Sequence, residues 1–308
     1  SDADSQKAMG SRRRHLALGL AAFTTLVLCA IQPGAQLLPV STIFWTPAHI
    51  GGVALSRDGR QLVFVGSDGG IRSDTWLKDL RTGRVSRLEV DGQPGGIDSP
   101  LFSPDGQWIA FKSWKTRSLR RVRVSGGTSV RIADARNMGT FEWADDGRIV
   151  FTRFQLQPER KHEIWRVRAD GGEPELVAAL PEPQSFRDDI HVLPGSRAAL
   201  ITLSDLRTPV RVVVQPLDGA ASHVVLTSAS FARYVASARQ LVFQSGDRPG
   251  AARLASVPFD VESLRGAGPV TPLDVDASKF VVSSNGTLVH VANPVELVRI
   301  YRDGRRVP

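Results

Sequence analysis

The feature that most constrains this fold is a repeat of about 45 residues, in which two apolar strands flank a tight glycine turn. The clearest copies are GVALSRDGRQLVFV (52–65), PLFSPDGQWIAFK (100–112) and TFEWADDGRIVFT (140–152). Three further copies are more divergent, namely IHVLPGSRAALIT (190–202), ARYVASARQLVFQ (232–244) and FVVSSNGTLVHV (280–291). A self-similar unit of this length indicates an array of small β-sheets.

The residue pattern within each unit predicts four short strands. Asp-Gly and Asn-Gly supply the positive φ of tight hairpins, and a second half-repeat such as IWRVRADGGEPELVA (164–178) adds two strands. Leu62 and Phe64 alternate with Val63 and Val65, so both faces of the sheet are apolar. Sheets covered on both faces and repeated in this way predict an all-β fold, a β-propeller of about six four-stranded blades over residues 49–308. No unit has the 3.6-residue apolar period of a helical repeat.

Composition narrows the function classes. The only cysteine is Cys29, which excludes an intramolecular disulfide framework and a cysteine zinc cluster. The formal net charge of +8 is spread along the chain, so we expect no nucleic-acid partner.

The N-terminal region has the residue pattern of a membrane-spanning or targeting segment. The run Arg12-Arg13-Arg14 precedes an uncharged apolar segment from Leu16 to Ile31, and Pro33-Gly34 follows. This pattern predicts a cytoplasmic tail over residues 1–14 and one transmembrane helix over 15–32, with the remainder outside the cytoplasm. A cleaved signal peptide is the alternative with the same topology, and a buried core helix is the third reading.

Residues 33–48 are expected to form a linker that contributes to ring closure. The sixth unit lacks a complete fourth strand, whereas the segment from Val40 to Trp45 is rich in β-branched and aromatic residues. We predict that this segment pairs beside Val298 to Tyr301 and closes the ring, because an open propeller edge would be prone to aggregation. The alternative is an open arc that continues beyond Pro308.

The units SPDGQWIAF, LSRDGRQLVF and WADDGRIVF resemble the WD-like repeats of TolB-type propellers, from about Gly51 to the end of the chain. With the arginine run and apolar segment before it, the chain also resembles the extracytoplasmic part of bacterial transmembrane serine/threonine protein kinases. That resemblance implies a sensor propeller whose kinase domain is not in this chain. The fifth unit departs from the pattern, because Ala238 stands where the other units have a turn glycine.

Motifs of catalysis are missing from the sequence. It contains no GxGxxG or GxxxxGK[ST] phosphate loop, no HRD or DFG triplet and no GxSxG nucleophile elbow. We therefore predict that this chain is not an enzyme, and we assign no catalytic, cofactor-binding or metal residues and no cofactor. The binding residues stay unknown at this point.

Several weaker signals have a structural interpretation beside a functional one. His162 and His191 could meet in space as metal ligands, although their spacing is not that of a ligand pair. Asp58, Asp105 and Asp146 are interpreted as turn residues rather than calcium ligands. Four tryptophans are predicted to pack between blades rather than stack on sugars: Trp76, Trp108, Trp143 and Trp165. A basic cluster is interpreted as a solvated strand face, with an anionic partner or lipid surface as the alternative: Lys112, Lys115, Arg117, Arg120, Arg121 and Arg123.

The function that these observations favour is a membrane-anchored binding or sensor module outside the cytoplasm. It would bind a protein, peptide or small-molecule ligand at a propeller face and contact the membrane through Leu16 to Ile31. The alternatives are a periplasmic TolB-like interaction scaffold and the propeller domain of a prolyl-oligopeptidase-like hydrolase.

Overall fold

The computed structural model of the chain describes residues 25–31, 37–38, 42–43, 49–67, 73–91, 93, 97–155, 161–180, 189–204, 209–246, 253–276, 279–292, 299–300 and 306–307. All regular elements in these ranges are β-strands. Three strands come first, namely β1 (Thr25–Ile31), β2 (Leu37–Leu38) and β3 (Thr42–Ile43). Each of the first four repeat units then contributes four strands. The first unit contains β4 (His49–Leu55), β5 (Gln61–Ser67), β6 (Asp74–Asp79) and β7 (Val85–Arg87), and the second contains β8 (Asp98–Phe102), β9 (Trp108–Ser113), β10 (Ser118–Arg123) and β11 (Val130–Asp134). The third contains β12 (Met138–Trp143), β13 (Arg148–Gln155), β14 (Lys161–Arg168) and β15 (Glu175–Ala179), and the fourth contains β16 (Asp189–Val192), β17 (Ala198–Leu203), β18 (Arg211–Pro216) and β19 (His223–Thr227).

The fifth and sixth units complete the chain. The fifth contains β20 (Ala229–Val235), β21 (Gln240–Ser245), β22 (Arg253–Asp260), β23 (Arg265–Gly266) and β24 (Thr271–Asp276). The sixth contains β25 (Lys279–Val282) and β26 (Thr287–Ala292), and β27 (Arg299–Ile300) and β28 (Arg306–Val307) form a separate hairpin.

Five sheets are antiparallel propeller blades, each built from strands that are consecutive in the chain. Four of them have the simple order of four strands, from β4–β7 to β16–β19, and in the fifth both β23 and β24 pair with β22. The all-β propeller with four-stranded blades is therefore confirmed, and the predicted number of about six such blades is wrong. The sixth unit supplies only β25 and β26 to its sheet, which has the order β2-β1-β26-β25 with β3 also on β1.

The innermost strands of the sheets surround one axis. β4, β8, β12, β16, β20 and β25 are neighbours in that order, and β25 returns to contact β4. Six apolar clusters fill the spaces between successive sheets. Val63 and Val65 pack against the second blade, whereas Leu62 and Phe64 on the opposite face pack against Val289 of β26. Both faces of a strand are buried, as the alternating apolar residues predicted.

Hairpin turns between the first two strands of each unit form one end of the propeller. In the first turn the Ser56 hydroxyl donates to Asp58 Oδ1 at 2.6 Å, and the same oxygen accepts the Arg60 N–H at 3.1 Å. Gly59 has φ +69°, and a Cβ there would lie 2.6 Å from Thr287 Oγ1 of the sixth unit. The Asp-Gly pairs are therefore turn residues, as predicted, and the first turn needs glycine for its φ and its close packing.

The predicted N-terminal helix is wrong over the residues that the structure describes. Thr25–Ile31 form β1, which pairs antiparallel with β26 from Thr25 opposite Ala292 to Ala30 opposite Thr287. An apolar run of this kind is compatible with a helix or a buried strand, and the unpaired edge of β26 favours the strand. The rest of the predicted span, residues 15–24, lies outside the described residues. Across the described part of the chain, no helix has the length and apolar character needed to span a membrane.

Ring closure also differs from the prediction in detail. Within the segment from Val40 to Trp45, the described strand β3 pairs with β1, through Leu26 opposite Ile43. The other predicted partner, β27, pairs with β28 instead. An N-terminal strand does complete the last sheet, but it is β1 and it joins β26. The reason is that β26 is the free edge of the sixth unit, so the strand that closes the ring must pair with it.

Candidate functional site

A cavity of about 480 Å³ lies on the propeller axis, lined by residues of all six innermost strands. The repeat makes these positions equivalent. The carbonyl of the first residue of each turn accepts the N–H three residues later, at Ser56, Ser103, Ala144, Leu193, Val235 and Ser283. Counting back from these residues gives two rings of side chains around the channel.

We name the two rings by their distance from the turns. The turn-side ring, two residues before each turn, consists of Ala54, Leu101, Glu142, His191, Arg233 and Val281. The far ring, four residues before each turn, consists of Gly52, Ser99, Thr140, Asp189, Phe231 and Lys279. The residues of both rings line the cavity. One half of the turn-side ring is apolar, and the other half carries an acid, an imidazole and a guanidinium on adjacent strands.

Arg233 and Asp189 form a buried ion pair on the polar side of the channel. Arg233 Nη1 and Nη2 donate to the two carboxylate oxygens of Asp189 at 2.5 and 2.8 Å, and their side chains are 19% and 10% exposed. Burial opposes the charge of Arg233, but Asp189 outweighs it and the pKa of the guanidinium is raised. This bidentate geometry fixes the orientation of Arg233, and both of its Nη atoms donate to Asp189.

Glu142 and His191 lie next to each other in the channel without a hydrogen bond between them. Glu142 Oε1 lies 4.0 Å from His191 Nδ1, which is beyond hydrogen-bond distance. Burial raises the pKa of Glu142 to about 7, although Arg233 and Arg57 act against this. Burial lowers the pKa of His191 to about 3, and Arg233 and Arg57 act in the same direction. Near neutral pH the histidine is therefore uncharged and the carboxyl is poised between its two forms.

Two polar atoms of this side have no hydrogen-bond partner among the described residues. They are His191 Nδ1 and Thr140 Oγ1, both buried from bulk solvent. Buried polar atoms in proteins are nearly always paired with protein or ordered water. These two atoms without hydrogen-bond partners, together with the Glu142 carboxyl, indicate that a further polar group can bind in this part of the channel.

An ion pair crosses the channel at its turn end. Arg57 of the first turn binds Asp145 of the third turn, and Asp145 Oδ2 also accepts the Gly195 N–H at 3.0 Å. Asn285 Nδ2 donates to the Asp58 carbonyl at 2.7 Å and links the sixth turn to the first. These contacts join turns from four units, so they hold the turn end of the channel together.

Backbone irregularities are concentrated at the far ring. β4, β8, β12 and β20 each carry a β-bulge at this level. Ser99 and Phe231 lie within the bulges of β8 and β20 and have φ of 50° and 54°. A left-handed conformation is rare for a bulky residue, and the Phe231 N–H donates to Thr202 Oγ1 at 2.9 Å. Bulges re-aim side chains and are frequent beside functional sites.

Sequence-predicted features are distributed over the structure in different ways. His191 lines the channel whereas His162 lies on β14 and stacks on Phe154 at 4.3 Å, so they do not form one site. Among the described residues, no group of three acidic, histidine or cysteine side chains could hold a metal ion. The four tryptophans all belong to apolar clusters between sheets, which confirms their predicted packing role.

The basic cluster is divided by the fold. Lys112 lies at the channel, with Nζ 3.2 Å from the Gly139 carbonyl and 3.9 Å from Asp98 Oδ2. Arg120 Nε donates to the Ser129 hydroxyl at 2.9 Å, and Arg120 Nη2 donates to the Ser129 carbonyl at 2.7 Å. The guanidinium groups of Arg121 and Arg123 lie over Trp108, 4.5 and 4.1 Å from its ring centroid. Lys112, Arg120 and the pair of Arg121 with Arg123 therefore lie in three separate surroundings.

The channel residues Glu142 and Arg233 were missed by sequence reasoning, which considered His191 only as a possible metal ligand. A signal for them exists: when the units are aligned on their turns, the position two residues earlier is apolar in three units and ionisable in the other three. Asp189 could be found by the same alignment at the far ring. Only an alignment within the chain exposes this pattern, because none of these residues forms a local motif.

Comparison with known sequences gives short matches only. No family model matches the chain. A putative tricorn protease homolog of Streptomyces coelicolor is 44% identical over 72 residues, which are 22% of this chain and 6% of that protein. An uncharacterized protein of Agrobacterium fabrum, Atu1656, is 38% identical over 85 residues, or 26% of this chain and 27% of that protein. The chain therefore spans well under two thirds of both relatives.

Comparison with solved structures covers most of the fold. A putative TolB from Agrobacterium tumefaciens aligns with a TM-score of 0.65 and 15% identity, over 88% of this chain and 98% of that structure. TolB from Acinetobacter baumannii aligns with a TM-score of 0.56 and 13% identity, over 87% and 64%. The acylaminoacyl peptidase of Pyrococcus horikoshii aligns with a TM-score of 0.52 and 11% identity, over 76% and 41%. At these identities the likeness concerns the fold, and the fold is that of a TolB-like β-propeller.

Proposed function

We propose that this chain is a ligand-binding module and that its central channel is the binding site. The observation that carries the proposal is the turn-side ring, in which His191 Nδ1 is buried without a hydrogen-bond partner and the Glu142 carboxylate, whose side chain is 22% exposed in the channel, lies 4.0 Å from it, opposite an apolar wall. Leaving such groups unsatisfied destabilises the folded protein. A ligand-binding site retains such groups because the bound ligand forms hydrogen bonds with their polar atoms.

A channel-filling substitution tests the proposal. Thr140→Phe places a ring in the channel at a residue that lines it and belongs to none of the apolar clusters, and Thr227→Phe places the same ring on the exposed surface as a matched control. Ligand-observed NMR with a fragment set of amines, carboxylates, alcohols and short peptides measures binding. We expect fragments that bind the wild type and Thr227→Phe and fail to bind Thr140→Phe.

Two results would contradict the channel as a binding site. One is that no member of the fragment set binds the wild type, and the other is that Thr140→Phe binds the same fragments equally well. Leu101→Trp, at a half-buried residue of the neighbouring strand that also lines the channel, serves if Thr140→Phe does not fold.

The proposed biological role is that of an extracytoplasmic sensor for a receptor-like bacterial serine/threonine kinase. Its support is the likeness of the repeats to the propellers of that family and the run Arg12-Arg13-Arg14 near the N-terminus. Membrane contact by residues 16–24, which lie outside the described residues, stays a prediction, whereas Thr25–Ile31 form β1 and pair with β26. A reporter fused after Pro308 should be active only outside the cytoplasm, and cytoplasmic activity would exclude this role.

A second candidate is the propeller part of a larger hydrolase. It is favoured by the fold likeness to acylaminoacyl peptidase, of which this chain covers 41%. A periplasmic TolB-like interaction scaffold is the remaining alternative, supported by the likeness to TolB. In all three cases the chain alone is expected to show no kinase, peptidase or esterase turnover, and turnover lost on a single substitution would refute this.

A further inference from the structure

We propose that the channel ligand is a protonated amine attached to an apolar group, with its ammonium nitrogen held between Glu142 and His191. This inference rests on the proposed binding function and names the chemistry of its ligand. It follows from the charges of the site, the spacing of its acceptors and the character of the opposite wall.

The charges of the polar side favour a cation. Arg233 is engaged by both carboxylate oxygens of Asp189, and Arg57 is engaged by Asp145 at the turn end. Among the described residues, no hydrogen-bond donor reaches the carboxylate of Glu142, and the histidine facing it is neutral. With Glu142 ionised, its charge has no cation of its own on the polar side, because Arg233 is paired with Asp189. The other cations of the cavity lining are Lys112, 3.9 Å from Asp98, and Lys279 on β25 across the channel. A ligand cation beside Glu142 would therefore be stabilised.

The spacing of the acceptors matches one ammonium group. Glu142 Oε1 and His191 Nδ1 are 4.0 Å apart. A donor nitrogen about 2.9 Å from each would see them at roughly 90°, which is within the tolerance of two N–H bonds of a tetrahedral ammonium. Thr140 Oγ1, another buried atom without a partner, also lines the channel on β12. The site therefore offers two acceptors to one ammonium nitrogen, with a further polar atom on the wall of the same channel.

The opposite wall favours an apolar body on the ligand. Ala54, Leu101 and Val281 occupy the other half of the turn-side ring, and Lys279 lies on the same side at the far ring. Phe231 adds an aromatic side chain at the far ring on β20. A small hydrophilic cation such as ammonium alone would leave this surface unfilled. A carboxylate ligand is disfavoured at this depth, because it would face both Glu142 and Asp189.

A set of matched probes tests the inference. Phenethylamine carries the ammonium and a ring, 2-phenylethanol replaces the ammonium by a neutral hydroxyl, and 3-phenylpropanoate replaces it by a carboxylate. Isothermal titration or NMR chemical-shift mapping on the full chain measures each affinity at pH 8. We expect phenethylamine to bind at least ten-fold more tightly than either of the other two, because a charge-assisted hydrogen bond in a buried site is strong.

Two variants connect the preference to the acceptors. Glu142→Gln should lower the affinity for phenethylamine at least ten-fold and leave that for 2-phenylethanol within two-fold. The exposed substitution Glu173→Gln should change neither. If Glu142→Gln does not fold, the ratio of amine to alcohol affinity in the wild type decides the matter by itself.

Two peptide probes distinguish the sources of the amine. The probes are the C-terminal amides of Phe-Gly, which has a free amino terminus, and of N-acetyl-Phe-Gly, which has none, so neither carries a carboxylate. Both are measured at pH 7, where most amino termini are protonated. Binding of Phe-Gly but not its acetylated form assigns the site to peptide amino termini, whereas binding of phenethylamine alone assigns it to small amines; either outcome supports a protonated amine.

Other outcomes overturn the inference in distinguishable ways. Tighter binding of 3-phenylpropanoate, or equal affinity of amine and alcohol, refutes the amine and leaves the channel as a binding site. If no probe binds and the fragment set also fails, the proposed function itself is wrong, and bound water is all that satisfies Glu142 and His191.

Discussion

Replacing Glu142 by glutamine should stabilise the folded protein by the full amount above pH 7 and by only about a quarter of that amount at pH 5. The pKa of Glu142 is about 7 in the folded state against an ordinary value of 4.5. The folded protein therefore binds this proton more tightly than the unfolded chain, so stability falls as pH rises from 4.5 through 7. Glutamine has no proton to lose and removes this contribution.

The magnitude follows from the pKa difference. About 2.5 pKa units correspond to roughly 3 kcal/mol at 1.36 kcal/mol per unit. This figure is an upper limit, since 22% of the Glu142 side chain contacts solvent in the channel. A gain of about 1–3 kcal/mol in the free energy of unfolding at pH 8 is expected, and each kcal/mol raises Tm by roughly 2–4 °C in a chain of this size.

Urea unfolding at pH 5, 6, 7 and 8 measures the effect. The variants are Glu142→Gln and, as the control, Glu173→Gln, whose side chain is exposed. The difference from the wild type should grow with pH for the first and stay flat for the second. A flat profile for Glu142→Gln, or a loss of stability at pH 8, would show that the carboxyl is already compensated in the channel. The reasoning that makes it a ligand contact would then fail.

Two other substitutions and one truncation have defined outcomes. Asp189→Asn should cost about 3–5 kcal/mol in urea unfolding, because it leaves the buried guanidinium of Arg233 without its charge partner; an effect below 1 kcal/mol would contradict this. Phe231→Gly should be more stable than Phe231→Ala by about 1 kcal/mol, since only glycine adopts positive φ without strain; the reverse order in thermal unfolding would refute it. Removal of all residues through Ile31 should lower Tm and broaden the transition, because β26 loses its partner, and an unchanged melting curve would show that β1 does not close the ring.

Local chemistry explains why the blades could be predicted from the sequence. Asp58-Gly59 and the alternating residues Leu62 to Val65 specify a hairpin and two buried faces within a few residues of one another. Each blade is a meander of consecutive strands, so the order of strands follows from the order of the repeats. The sequence therefore determined the all-β class, the propeller architecture and the turns.

The tertiary structure decided the number of blades, the closure and the site. β1 belongs to a segment whose composition also suits a helix, and only the free edge of β26, more than 250 residues away in the chain, selects the strand. Arg233 and Asp189 are 44 residues apart and become an ion pair because their units are adjacent around the axis. Glu142, His191 and Arg233 have ordinary surroundings in the sequence. Their burial, and the pKa shift that it causes in Glu142 and His191, arise when three separate strands place them in one channel, so no local pattern could determine it.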